Sequence, residues 1–100
     1  MRMMLKFILP VEKSNQAFND GSLGTIVEGI MAQLKPEAAY FGTLDGTRGG
    51  MMFFEIDEPS QIVEAVEPFF LKMNAVVELI PVMNGEDLRK GLAKAKANAK

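Results

Sequence analysis

The stretch AAYFGTLDGTRGGMMFFEI, residues 38–56, decides the fold class. Two apolar runs of strand-forming residues, 38–44 and 51–56, flank the segment DGTRGG at 45–50, which is rich in turn-forming residues. This arrangement is typical of a β-hairpin. The sequence therefore predicts two antiparallel strands joined by a six-residue loop.

The residues before the hairpin predict a strand followed by a helix. An apolar run at 3–9 ends at a proline and has the composition of a strand. Apolar side chains then recur at helical spacing, with Ser14 as a candidate N-cap. Gly21 and Gly24 weaken the first half of this pattern, so we expect a loop or an irregular helix there and a regular helix at about 23–34.

The residues after the hairpin predict a helix, a strand and a last helix. Ser60 is a candidate cap for the first of these helices, which Pro68 should kink or divide into two short helices. The β-branched run at 75–83 predicts a fourth strand, and Pro81 places that end at a sheet edge or a bulge. The stretch 86–100 begins with acidic residues and continues with lysines, which suits a helix dipole.

The order of these elements predicts an α+β fold. Strands and helices alternate as βαββαβ, the ferredoxin-like arrangement, in which a four-stranded antiparallel sheet carries both helices on one side. We expect one such domain at residues 1–84, followed by a basic helical tail at 85–100. A chain of 100 residues is long enough for one compact domain and too short for two.

The composition excludes several classes of chemistry. The chain contains no cysteine and no histidine. It therefore cannot form disulfides, use a thiolate nucleophile, pair serine with histidine in hydrolysis, or hold metals and haem through imidazole. We expect no metal site and no cofactor.

Charge and hydropathy indicate where the protein works. The apolar run at 3–9 is too short for a membrane span or a secretory signal, so we expect a cytoplasmic protein with no membrane partner. All 13 acidic residues precede Leu88, while five of the 11 basic residues follow it. An acidic body does not suit nucleic-acid binding, which needs a basic surface for phosphate contacts.

The strands predict association with a second copy. A sheet with helices on one side only should alternate apolar and polar residues along its strands. Here Met4, Ile8, Met51 and Phe53 would lie on the side away from the helices, although they are apolar. A chain this short gains stability from covering such a surface. We therefore expect a homodimer formed through the sheet face, with coverage by the C-terminal helix as the alternative.

The element order, the two apolar strand faces and the closing run VELIPV at 77–82 give the chain a family resemblance. Over residues 3–83 it resembles the dimeric α+β barrel superfamily, and most of all the small uncharacterised bacterial members. The resemblance implies two sheets packed face to face with helices outside. Other members are small monooxygenases, haem-degrading enzymes and muconolactone-type isomerases. The haem-handling members depend on histidine and several monooxygenases on tryptophan, and this chain has neither residue.

Four polar strand residues are the candidate catalytic groups. Lys6, Glu55 and Glu78 are predicted to lie on the second sheet face, with Tyr40 on an ambiguous face of its strand. A desolvated carboxylate there could abstract a proton while Lys6 or Tyr40 stabilises developing negative charge. Alternatively, the lysine and the glutamates form a buried ionic network that sets the register of the dimer.

Two further residues are candidates for ligand binding. Arg48 belongs to the glycine-rich segment of the hairpin and could hold an anion, or could simply be solvated. Asn15 near the start of the first helix could be a polar site residue or a cap. The segment around Arg48 lacks the GxxxxGK[ST] pattern of a phosphate-binding loop.

These observations favour one function and keep two others open. The first hypothesis is a dimeric module that binds a small organic ligand or acts as an accessory protein. The alternative is a cofactor-independent isomerase or monooxygenase acting on a small organic substrate. A third is a regulatory domain that assembles with another protein through a free sheet edge. The sequence alone does not decide whether the protein is an enzyme.

Overall fold

The computed structural model describes residues 1–99 and has the predicted element order. The elements are β1 (Arg2–Ile8), α1 (Val11–Asn19), α2 (Ser22–Leu34), β2 (Ala38–Leu44), β3 (Thr47–Glu55), α3 (Gln61–Met73), β4 (Val76–Pro81) and α4 (Gly85–Asn98). The strands form one antiparallel sheet in the order β2-β3-β1-β4. The predicted ferredoxin-like α+β fold is confirmed.

One side of the sheet holds the hydrophobic core. Alternate residues of β1 and β3 point toward α2 and α3 and are buried, as the period-two pattern predicted. Phe7 and Phe69 are almost fully buried at the centre, with ring centroids 4.9 Å apart. The core side chains are Met3, Leu5, Phe7, Leu9, Ile30, Met52, Phe54, Ile56, Ala65, Phe69, Met73 and Ala75.

The predicted irregular helix is two helices, α1 and α2, that meet at Gly21. Gly21 has φ 80°, a left-handed conformation that favours glycine. The carboxylate of Asp20 accepts a hydrogen bond from the backbone N–H of Ser22 at 2.9 Å, which satisfies one free donor at the start of α2. Ser14 is not the predicted cap, because α1 begins earlier, at Val11, and Ser14 is buried inside it.

The hairpin turn is shorter than predicted. Asp45 and Gly46 alone form it, with φ 54° and 81°, because an Asp-Gly pair matches the twist of a two-residue hairpin. The rest of the predicted loop continues as strand, so Arg48 lies in β3 and not in a loop.

The sequence predicted that Pro68 would kink the helix or divide it into two short helices, and the structure has one undivided helix, α3, that contains Pro68. Proline lacks the N–H that would bond to the carbonyl of Glu64. Gln33 of α2 donates to that carbonyl instead, at 3.4 Å. Ser60 precedes the helix but its side chain makes no cap, and the side chain of Gln61 accepts from the backbone N–H groups of Asp57 and Glu58 instead.

The last two elements lie at the edge of the sheet and beyond it. Strand β4 is an edge strand, in agreement with the prediction from Pro81, but it ends at Pro81 and not at residue 83 as the sequence predicted. In α4, Asn84 and Asp87 form a capping box and no side chain is buried. The molecule is accordingly elongated, 59 × 27 × 18 Å. Lys100, counted in the predicted basic tail, lies outside the described residues. Over residues 1–99, no helix is both long enough and apolar enough to cross a membrane.

Candidate functional site

The side of the sheet away from the helices, here called the open face, is largely apolar. Its side chains are exposed or half-buried, since no element of residues 1–99 packs against them. Val76 is 65% exposed and Ile80 is 40% exposed. The apolar residues of this face are Met4, Ile8, Ala38, Tyr40, Leu44, Met51, Phe53, Val76 and Ile80.

Three of the four candidate catalytic residues share one row across the open face. The pairing registers place Glu78 opposite Lys6, Lys6 opposite Met51, and Met51 opposite Tyr40. Tyr40, whose face was ambiguous from sequence, therefore lies on the same side as Lys6. Lys6 is half-buried and Glu78 is exposed, and residues 1–99 hold no ion pair between them within 4.0 Å.

Glu55 does not join this row, contrary to the predicted convergence with Lys6. Glu55 pairs with Arg2, whereas Lys6 pairs with Met51. Glu55 is four residues from Met51 along β3, so Glu55 and Lys6 lie about 13 Å apart along the strands. Its carboxylate lies 3.0 Å from the amino group of Met1. The lysine and the two glutamates thus form no buried network within one chain.

The same end of β1 carries a second pair of charges. Arg2 donates from Nε to the Glu37 carboxylate at 2.6 Å. This hydrogen bond and the charge of Glu37 raise the pKa of Arg2 above its ordinary value. The charges at this end of β1 are paired with each other. Lys6 and Glu78 are the charged residues of the open face that have apolar neighbours and no ion-pair partner within residues 1–99.

The structure brings the two candidate ligand-binding residues together on the helix side of the sheet. Nη1 of Arg48 donates to Ser14 Oγ and to Asn15 Oδ1, both at 2.8 Å. The guanidinium carbon lies 5.7 Å from the centroid of the Phe18 ring, within cation–π distance. Asn15 is therefore a support for Arg48 and not a helix cap.

Backbone contacts hold Arg48 in this place. Leu9 donates its N–H to the carbonyl of Arg48 at 2.9 Å, and Thr47 Oγ1 donates to the carbonyl of Leu9 at 2.8 Å. These bonds join the start of β3 to the segment between β1 and α1. Successive residues of a strand point to opposite sides of the sheet. Arg48 of β3 points to the helix side, where it reaches α1.

An apolar groove runs from Arg48 along α2. We call it the α2 groove. One part has a volume of about 420 Å³ and the adjoining part about 200 Å³, and they share Leu23, Val27 and Phe41. Phe18 is 65% exposed and Phe41 is 54% exposed at its rim. Its other lining residues are Phe7, Leu9, Ala17, Gly21, Gly24, Gly42, Arg48 and Gly49.

Sequence reasoning singled out neither Phe41 nor Phe18 as a site residue. Phe18 fits the apolar spacing of a helix, and because α1 ends at Asn19 its ring lies at the surface. The glycines at 21 and 24 were the available signal, since they mark where helical packing is interrupted. Residues 1–99 contain no group of three or more carboxylates positioned to hold a metal ion.

The sheet order and the one-sided helices define a ferredoxin-like α+β protein. No protein-family model matches the chain, and no curated protein matches it either. Among solved structures it is similar to the de novo designed protein Ferredog-Diesel. The two chains share 10% sequence identity with a TM-score of 0.44, over 81% of this chain and 85% of that chain.

Proposed function

We propose that this protein is a homodimeric small-ligand-binding module of the dimeric α+β barrel type. Two copies pack through their open faces, and each copy keeps its α2 groove for a ligand. The observation that carries the proposal is the apolar open face, which nothing in residues 1–99 covers.

The energetic argument concerns the large apolar side chains of this face. Full burial of one such side chain stabilises a protein by about 1.5–3 kcal/mol. Met51 and Phe53 already lie half-buried at the centre of the sheet, so a flat apolar partner would complete their burial at little cost in side-chain entropy. The alternative covering element, α4, buries none of its own side chains.

The charge pattern favours a second copy over an unrelated partner. A two-fold axis that lies between the two sheets, in the plane of the interface, places the same surface on both sides. Lys6 and Glu78 occupy adjacent strands in one row, so the lysine of each copy could lie opposite the glutamate of the other. A purely apolar partner would remove water from both charges without offering a counter-charge to either, which is costly.

Helix α4 can enlarge such an interface. Four strands spaced about 4.8 Å apart and about six residues long give a flat face of roughly 400 Å², whereas a stable interface buries about 800 Å² on each partner. Leu88 and Leu92 lie one helical turn apart on α4 and are 48% and 60% exposed. We expect this apolar edge of α4 to contact the second copy.

The ligand-binding part of the proposal depends on the opposite side of the sheet. The α2 groove lies among the helices, so packing of two open faces leaves it accessible. Its volume falls within the range of small-molecule sites.

Sedimentation velocity over a range of concentrations tests the dimer. We expect the wild type to be dimeric, Met51→Glu to be a folded monomer, and Leu71→Glu to remain dimeric. Leu71 is the matched control because it is 76% exposed on α3, away from the open face. A wild type that stays monomeric up to about 1 mM, or a dimeric Met51→Glu, contradicts the proposal.

One observation keeps the enzymatic alternative. Glu78, Lys6 and Tyr40 share a row that dimerisation would desolvate, and desolvation raises the basicity of a carboxylate. If a cofactor-independent isomerase or monooxygenase activity is found, Glu78→Gln should abolish turnover and preserve the dimer. Full activity in Glu78→Gln would rule out this row as the active site.

A further inference from the structure

We infer that the α2 groove binds an amphipathic molecule with a single carboxylate. The carboxylate binds Arg48, and the apolar body lies between Phe18, Phe41 and Val27. This inference rests on the proposed ligand-binding function and names its ligand class, and it does not depend on the dimer.

The first argument is the state of the Arg48 side chain. Its hydrogen bonds within residues 1–99 both come from Nη1, to Ser14 and Asn15, and both acceptors are neutral. The ion pairs of residues 1–99 are Met1–Glu55 and Arg2–Glu37, so Arg48 has no carboxylate partner. A guanidinium has five N–H donors in a fixed plane, which leaves the Nη2 and Nε groups for a bidentate anion.

The second argument is that this position is prepared in advance. The two 2.8 Å hydrogen bonds and the nearby Phe18 ring fix the guanidinium before any ligand arrives. Arg48 is half-buried, so its charge is less screened by water than that of an exposed arginine. Preorganisation reduces the entropy lost on binding.

The third argument is the composition of the groove walls. Every lining side chain other than Arg48 is apolar, or the residue is a glycine. A ligand with several polar groups would therefore leave most of them without hydrogen bonds, which costs affinity. A ligand with one anionic group at one end and an apolar body matches both Arg48 and the apolar walls of the groove.

The exposed aromatic rings agree with this ligand class. Phe18 and Phe41 are more than half exposed, and an apolar body in the groove would remove both from water. The Phe41 ring is held edge-on against Phe7 at 6.3 Å, so one wall is fixed to the core.

The experiment uses decanoate and its neutral counterpart 1-decanol as probes, with binding measured by calorimetry and amide chemical shifts at pH 7. The carboxylate is ionised at this pH. We expect wild type to bind decanoate about tenfold or more tightly than decanol. Arg48→Gln should lose that difference, because charge-assisted hydrogen bonds are the stronger kind.

A pair of glycine variants tests the position of the apolar body. Gly24 lines the groove and Gly29 does not, both lie in α2, and an added Cβ meets nothing within 4 Å at either. Gly24→Leu should weaken both probes about tenfold by filling the groove. Gly29→Leu, with the same gain in helix propensity, should bind like the wild type.

Three outcomes would overturn the inference. These are an affinity for decanol equal to that for decanoate, binding by Gly24→Leu equal to that by Gly29→Leu, and no binding of either probe up to about 1 mM. If both probes bind equally well and Gly24→Leu abolishes the binding of both, the α2 groove is still a ligand site. Only the preference for a carboxylate is then refuted. Sedimentation of the same samples separates these results from the dimer, since a monomer that binds decanoate refutes the dimer alone.

Discussion

The ring of Phe7 occupies the space in which a side chain of Gly50 would stand. The two residues are opposite each other in β1 and β3. A Cβ at Gly50 would lie 2.9 Å from two ring carbons of Phe7 and 2.7 Å from the carbonyl oxygen of Tyr40. The absence of a side chain at Gly50 therefore leaves the space that the buried ring of Phe7 occupies.

Gly50→Ala should destabilise the protein by about 1–3 kcal/mol, because the added methyl group collides with backbone as well as ring. Chemical denaturation measures the change in the free energy of unfolding. Gly42→Ala is the control, since a Cβ at that position of β2 meets nothing within 4 Å. Equal stability of the two variants would show that the sheet adjusts around the methyl group.

Charge reversal on the open face should report on the two-fold packing. Lys6→Glu and Glu78→Lys should each weaken dimer association about tenfold or more, because like charges would meet in the interface. The double reversal should restore much of the affinity, because the opposite charges meet again. Lys13→Glu on α1 serves as the control for a change of net charge, and sedimentation equilibrium gives the dissociation constants.

Removal of α4 should separate the fold from the assembly. A chain of residues 1–84 should lose only the helical circular dichroism signal of α4 and unfold with a free energy within about 0.5–1 kcal/mol of the full chain at concentrations where both are monomeric, since α4 buries no side chain. Its dimer should be weaker if Leu88 and Leu92 contact the second copy. A truncated chain that does not fold would show that α4 belongs to the domain.

The junction of α1 and α2 should show a specific acid dependence. The hydrogen bonds from Ser22 lower the pKa of Asp20 below its ordinary value of 3.8. Because the pKa of Asp20 is lower in the folded state, this carboxylate stabilises the protein when the pH is above the pKa of the unfolded state. The contribution is lost as the pH falls through the pKa of the folded state. Asp20→Ala should therefore be less stable than wild type at neutral pH, with the difference decreasing in acid.

Thermal unfolding between about pH 2 and 7 tests this dependence. Asp20→Asn is the informative comparison, because asparagine keeps an acceptor oxygen for the Ser22 N–H but does not titrate. Its stability should lack the acid-dependent part that Asp20 adds. A constant difference between wild type and Asp20→Ala at every pH would contradict the assignment.

Local signals explain why the element order and the strand faces were predictable. Residues 3–9 alternate between core and open face because successive side chains of a strand point to opposite sides. The final helix has its cap, acidic start and lysines within one continuous segment. Each of these features involves residues close together in sequence.

The turn and the caps show where local signals were insufficient. The Asp-Gly pair competes with four further residues of similar turn character, and only the pairing of β2 with β3 selects it. Ser14 has the composition of a cap, but its hydroxyl accepts a hydrogen bond from Arg48, 34 residues away. Such contacts depend on how elements pack, which one segment cannot specify.

The sequence by itself determined the fold class, the two apolar strand faces and the exclusion of thiol and imidazole chemistry, because these follow from residue types and their period. Only the tertiary structure decided that Glu55 stands apart from Lys6 and that Arg48 meets Asn15 beside an apolar groove. The physical reason is strand register. Pairing sets which residues are opposite across the sheet, and a shift by one residue would turn Arg48 to the open face and remove its charge from the groove.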